Sequence, residues 1–289
     1  MTWDGAGTDG YDTGARPPGP AGVRGAVWGI GFAGAVFAVI VAAYAVWITR
    51  IHADGAQAPL VTNAAPQSIA AGTGEGTGAA GAVGGGSAGK SAASPLDHVD
   101  HAWAARAVAA TGIPDRAFLA YASADLAIEA GQPGCGLGWN TLAAIGTVES
   151  ANGSYGGATL LASGYTSKPI IGVPLDGGKF GGGTVAAIPA TDHGRLDGDA
   201  RWEHAVGPFQ FLPSTWARWG ADGNGDGVAS PNQIDDAALA AARYLCASGT
   251  MTNAAGWRAA VFSYNQSNAY VNEVADIANR YAADVSGLS

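Results

Sequence analysis

The chain has 289 residues, enough for one domain with appendages, and only 13% of them are charged. Its net charge is −9, and from His98 onward 10 Lys and Arg stand against 17 Asp and Glu, a balance of 10 − 17 = −7. That excludes the basic face a nucleic-acid partner needs and argues against a polyanionic substrate read by charge.

Residues 1–25 are rich in Gly, Pro and Asp without an apolar period and read as a disordered tail. From Ala26 to Ile48 no residue is charged. A crossing helix needs about 20 such residues, and a cleaved signal peptide has a shorter apolar region of about 7–15. The segment is therefore predicted to be an uncleaved transmembrane anchor, with Trp28, Tyr44 and Trp47 at its interfaces. Arg16 and Arg24 before it, against Arg50 after it, favour a cytoplasmic N-terminus and an extracytoplasmic remainder. Residues 49–97 are mostly small and read as a flexible linker, with a root-mean-square span of about 35 Å.

Two motif matches in these regions carry no nucleotide chemistry. Gly29-Ile-Gly31-Phe-Ala-Gly34 lies inside the apolar span with no strand before it. Gly84-Gly-Gly-Ser-Ala-Gly89-Lys90-Ser91 lies in the low-complexity linker, without the strand and helix that would give a phosphate cradle its shape.

Apolar residues return at helical spacing from about His98, where the folded domain, residues 98–289, is expected to begin. Helices are predicted over 98–110, 114–130, 139–150, 213–219, 234–247, 254–264 and 269–283. The Gly-rich stretch 153–200 reads as long and irregular, and no alternating run argues for a large sheet. Cys135 and Cys246 are too few for a disulfide scaffold. They are either two buried thiols or, in an exported domain, one bridge.

Three segments carry chemistry. At about 100° per residue, Glu149 falls between Leu142 and Ile145 on the helical wheel, on the face that should be buried. Burial raises a carboxyl's pKa, and a carboxyl still protonated near neutrality can give a proton to a leaving oxygen. The alternative is a helix-end glutamate turned to solvent. Gln210 stands between Phe209 and Phe211 after Gly207-Pro208, an amide among rings that suits a sugar; the plainer reading is a helix start with Phe in the core. Tyr264-Asn265, followed by Tyr270, repeats that mixture at a helix end.

Together these segments resemble the lytic murein transglycosylases with a lysozyme-like domain, in the membrane-bound transglycosylase B branch and its actinobacterial exported form. The marks are Glu149-Ser150, Gly207-Pro208-Phe209-Gln210-Phe211-Leu212-Pro213-Ser214-Thr215-Trp216, the Asp222-to-Gly227 loop, the helix from Asp235 to Cys246, and Tyr264-Asn265. The resemblance spans about residues 98–285, and Phe209 stands where that motif usually has Met. It implies a mainly α, lysozyme-like helical catalytic domain with a long irregular insert. It implies cleavage between N-acetylmuramic acid and N-acetylglucosamine in peptidoglycan, with Glu149 as acid and base and a 1,6-anhydro end as product. Ser150, Phe209, Gln210, Tyr264, Asn265 and Tyr270 are then expected to meet the glycan. Export and the resemblance together imply a Cys135–Cys246 bridge.

No cofactor is required by that chemistry. Asp222-x-Asn224-x-Asp226-Gly227 matches the opening of a calcium loop, with Val228 and Asp236 completing the candidate ligands and neutral Gln233 where Glu is usual. A metal-free turn is the alternative. Two functional rivals stand beside the transglycosylase: a lysozyme-type hydrolase with a second acid among Asp192, Asp197, Asp199 and Glu203, and a wall-binding module that holds glycan without cutting it. The expected partners are glycan strands and, through the N-terminal helix, the membrane.

Overall fold

The computed structural model describes residues 95–180 and 183–288. The tail, the apolar span, nearly all of the linker and both rejected nucleotide motifs lie outside the described residues. Among the described residues no helix is long and apolar enough to cross a membrane.

A 3-10 turn at Pro95–His98 leads into α1 (His101–Thr111), α2 (Asp115–Gly131) and α3 (Trp139–Ser150). The insert follows, with a second 3-10 turn at Tyr155–Gly157 and a small antiparallel hairpin of β1 (Lys179–Phe180) and β2 (Gly183–Thr184). Then come α4 (Pro213–Trp219), α5 (Ile234–Ala247), α6 (Ala254–Tyr264) and α7 (Asn268–Asp284). Four of the seven predicted helices match end to end. The first begins three residues later than expected, because Asp100 accepts the Trp103 N–H and so caps a helix that starts at His101. The last begins one residue earlier, where Ser267 caps it through the Tyr270 N–H.

Helix α3 is the buried axis of the bundle: ten of its twelve residues are buried. It packs on α2, α5 and α7. Its first residue, Trp139, sits in an aromatic cluster with its ring centroid 4.8 Å from Phe118 and 6.2 Å from Trp103. Truncating such a ring costs about 3–5 kcal/mol. The N-cap of α3 is Gly138, which has no side chain to offer, so buried Asp125 of α2 reaches across and accepts the Trp139 N–H at 2.7 Å. Gly146 lets α2 approach α3, since a Cβ there would lie 2.3 Å from the Tyr121 hydroxyl.

Cys135, before α3, and Cys246, at the end of α5, form a disulfide across a sequence separation of 111. In the chain-entropy account a loop that long is worth about 4–5 kcal/mol. The insert has a small core of its own, Leu175, Val185, Ala205 and Leu212. It is irregular, as expected, but stitched by isolated bridges such as Ile171 to Val206 and Pro189 to Trp202.

Candidate active site

Glu149 lies in the last turn of α3 and is 2% exposed, so the wheel position places it inward as the apolar spacing implies. Tyr270 of α7 donates its hydroxyl to Glu149 Oε1 at 2.7 Å. Burial pushes the Glu149 carboxyl up to about 8; the Tyr270 hydrogen bond opposes this and the charge of Glu273 adds to it. The carboxyl is therefore mostly protonated at neutral pH. Burial, and then the charge of Glu149, hold the hydroxyls of Tyr264 and Tyr270 well above the usual tyrosine range, so both remain donors.

The helix stops at once after Ser150. Ala151 and Asn152 both take left-handed φ values of 49° and 57°, an uncommon pair for residues other than glycine. Their N–H groups close the helix onto Thr147 O and Gly146 O, each at 2.9 Å. The Asn152 side chain is held from behind by the Tyr121 hydroxyl at 2.9 Å. Ser150 ties α3 to the next motif: its hydroxyl donates to Pro208 O at 2.7 Å and accepts the Gly153 N–H at 2.9 Å.

That second motif is a tight turn. Gly207 has φ 79°, and a Cβ there would sit 1.8 Å from Pro231 O. Gln210 also takes a left-handed φ of 49°. Its amide consequently turns inward, with Nε2 donating to Gly207 O at 2.8 Å and Ile170 O at 3.4 Å. Phe209 is wholly buried, edge-on to Tyr121 at 5.8 Å, so its ring belongs to the core and not to a surface offered to sugar. Its carbonyl accepts the Tyr264 hydroxyl at 2.7 Å. Asn265 is fully buried, yet neither Oδ1 nor Nδ2 has a hydrogen-bond partner among the described residues. Such stranded groups are costly and point to a missing partner.

Glu149, Ser150, Phe209, Gln210, Tyr264, Asn265 and Tyr270 are thus linked into one assembly by hydrogen bonds or by chain adjacency. Residues 139–262 match the model of the family described as Transglycosylase SLT domain. The match covers a little under half of the chain and supports a lytic transglycosylase family, and with it a peptidoglycan-cleaving enzyme in general terms. It includes Glu149, the insert and the 207–216 turn, and it stops short of Tyr264. No curated protein matches the chain, and no solved structure does.

Around this transglycosylase-like centre, the acids of the insert are occupied by the insert itself and, for Glu203, also by the start of α4. Asp192 accepts the N–H groups of Gly194 and Leu196, both at 2.9 Å. Asp197 accepts those of Asp199 and His204, both at 3.0 Å. Asp199 accepts the Arg201 N–H and faces the His204 ring, interactions that hold its carboxyl below the usual range. Glu203 is 0% exposed and takes donors from Thr191 and Ser214, through both backbone and hydroxyl of each.

In the 222–236 loop, Asp222 accepts the N–H groups of Gly225, Asp226 and Gly227. Asp236 accepts those of Gly223, Asn224 and Ser230. Gln233 takes no part, because its Oε1 caps α5. Asp235 pairs instead with Arg116. The donors are all hard oxygens, the right chemistry for calcium. Among the described residues, however, no three His, Cys, Asp or Glu side chains are gathered to hold a metal ion.

Sequence reasoning missed Glu273 and Asp125. Glu273 stands one turn beyond Tyr270 on α7, half-buried, and its charge acts on Glu149. Burial pushes Asp125 up to about 8, against the Trp139 hydrogen bond that lowers it. Spacing relative to Tyr270 was the one available signal for Glu273; for Asp125 there was none.

Proposed function

We propose that this chain is a lytic transglycosylase that cuts the β-1,4 bond between N-acetylmuramic acid and N-acetylglucosamine, with Glu149 as the only carboxyl in the chemistry. Protonated Glu149 gives its proton to the glycosidic oxygen as the bond to C1 of the muramic sugar breaks. The resulting carboxylate takes the proton of that sugar's 6-hydroxyl as O6 bonds to C1. This closes a 1,6-anhydro ring and restores the acid. The observation that carries the reading is a buried carboxyl, pushed up to about 8, with a single tyrosine donor. A proton donor of that kind is typically worth about 10²–10⁴ in rate.

A paired-carboxylate hydrolase is the second reading, and its usual second acid must be free to act on water or sugar. The hydrogen bonds around Asp192, Asp197, Asp199 and Glu203 count against it. The deciding experiment digests peptidoglycan with the full chain and weighs the products. Anhydro ends support the transglycosylase, products that all carry one extra water move it to the hydrolases, and binding without cutting makes it a wall-binding module.

The same reading anchors the protein in the cell membrane through residues 26–48, with residues 98–289 outside the cytoplasm on the 49–97 tether. The Cys135–Cys246 bridge supports this, since such bridges persist in oxidising compartments. It also gives the 222–236 loop a structural calcium held by Asp222, Asn224, Asp226, the Val228 carbonyl and Asp236. All five are oxygen donors, and Asp236 is pushed up to about 6 by burial and, to a smaller degree, by the charge of Asp222. A cation would relieve both.

A further inference from the structure

We propose that Lys168 is a specificity residue on the rim of the glycan site, where it holds a carboxylate carried by the muramic sugar; the proposal rests on the glycan-cutting reading above. Three fixed connections put it there. The first runs through the segment just after Glu149, since the Lys168 ammonium lies over Gly157, where a Cβ would be only 3.6 Å away. Gly157 ends the turn that begins at Tyr155, six residues after Glu149. The second is a small hairpin that sets where Lys168 stands. Ser167 N–H donates to Thr159 O at 2.8 Å, the Ser167 hydroxyl accepts the Thr159 N–H at 3.0 Å, and Leu160 bridges to Thr166. The third is Ile170, two residues on, whose carbonyl accepts the Gly207 N–H at 2.8 Å and the Gln210 amide. The segment that carries Lys168 is thereby joined to the turn after α3 and to the Gln210 turn, and Ser150 bonds α3 to the latter through Pro208.

The charge is exposed and uncommitted. Lys168 is solvent-accessible, and among the described residues no carboxylate pairs with it. From His98 onward the chain has one other lysine, Lys179, and eight arginines, in a stretch whose formal balance is −7. Tyr155, at the start of the turn that Gly157 ends, is 42% exposed. An ammonium over a turn that also carries an exposed ring suits a glycan unit with one acidic group and does not suit a long polyanion. N-acetylmuramic acid offers such a group from two sources: its own lactyl carboxylate where the peptide has been removed, or the carboxylates of the peptide where it remains.

The test compares full-length wild type, Lys168→Met and Lys168→Arg on three substrates: peptide-free glycan, peptide-bearing glycan, and glycan whose carboxylates have been coupled to methylamine. Lys168→Met is expected to raise KM by about threefold to fivefold on carboxylate-bearing glycan, the scale of one exposed ion pair, with kcat little changed. Lys168→Arg restores KM, and the coupled glycan is cut equally by all three proteins. The wild-type advantage also vanishes near 1 M salt, where the screening length is about 3 Å. An effect confined to peptide-free glycan identifies the lactyl carboxylate, and one confined to peptide-bearing glycan identifies the peptide. Equal KM for wild type and Lys168→Met on every substrate overturns the role of Lys168 and leaves the glycan-cutting reading standing. A wild type that cuts no glycan, and binds it no more tightly than Lys168→Met does, overturns both.

Discussion

Two glutamates, one in the helical body and one in the insert, are equally hidden from water and held in opposite ways. Glu203 receives N–H and O–H donors from both Thr191 and Ser214, and so fastens the insert to the start of α4. Among the described residues Glu149 receives one donor, the Tyr270 hydroxyl, at the end of a helix closed by two left-handed residues. Burial alone thus does not mark an acid for catalysis. A carboxylate wrapped by donors is satisfied as a charge and acts as a fastener. A buried carboxyl with one donor is costly as a charge and keeps a proton it can give away.

The sharpest break between the two is substitution by glutamine. Glu149→Gln keeps the size of the side chain and can still accept from Tyr270, but it cannot cycle a proton. We expect glycan cleavage to fall by about 10²–10⁴ while the fold is retained, as read by product release and by circular dichroism. Near-normal turnover in the folded variant removes Glu149 from the chemistry. Glu203→Ala tests the other half. It removes the hydrogen bonds from Thr191 and Ser214, two exposed residues whose freed donors water can take over, so stability should drop by about 1–2 kcal/mol in urea unfolding. Intact stability with lost cleavage would reverse the two roles.

The helical body was far more legible in the sequence than the insert, and the reason is physical. Trp139–Ser150, Ile234–Ala247 and Ala254–Tyr264 are defined by apolar residues at helical spacing, a signal that lives within one segment. The inward face of Glu149 followed from the same local geometry. The turn at 207–211 was legible as a motif but not in its orientation: the left-handed Gln210 sends its amide inward, and nothing about a glutamine announces that. Phe209, which the resemblance placed among the sugar contacts, is a buried ring packed on Tyr121. Glu273 offered only its spacing from Tyr270 and Asp125 offered nothing, because their partners, Glu149 and Trp139, come from other helices.

A pH scan sharpens the contrast further. The Glu149 carboxyl rises from an ordinary 4.5 to about 8 on folding. Between those values the folded state holds a proton that the unfolded state has released. Its contribution to stability is therefore complete below about 4.5 and is lost as pH rises toward 8. Asp125, which rises from 3.8 to about 8, adds a slope of the same sign. Glu149→Gln is expected to lose less stability than wild type between pH 5 and pH 8 in urea titrations, about 1.4 kcal/mol less for each pH unit over which the two states differ by a full proton. Parallel curves would mean that the Glu149 carboxyl is ionised in the folded protein, which would remove it as the proton donor.

The smallest effect is expected at the 222–236 loop, which extends the comparison to a third way of holding acids. Asp222 and Asp236 each accept three N–H groups, as a fastener would, yet burial still pushes Asp236 up to about 6. Donors are therefore not enough there, and the neighbouring charge of Asp222 works against ionisation. A calcium ion taken by the folded loop would supply the missing positive charge. At tenfold over its dissociation constant it would add about 1.4 kcal/mol, a rise of a few degrees in Tm for a domain of this size. Melting curves of the full chain with chelator and with millimolar calcium measure this directly. Asp236→Asn should abolish the response, whereas Asp235→Asn, altering a residue committed to Arg116, should keep it. Identical curves with and without calcium would make the loop a turn closed by its own N–H groups, and Asp236 a weaker relative of Glu203.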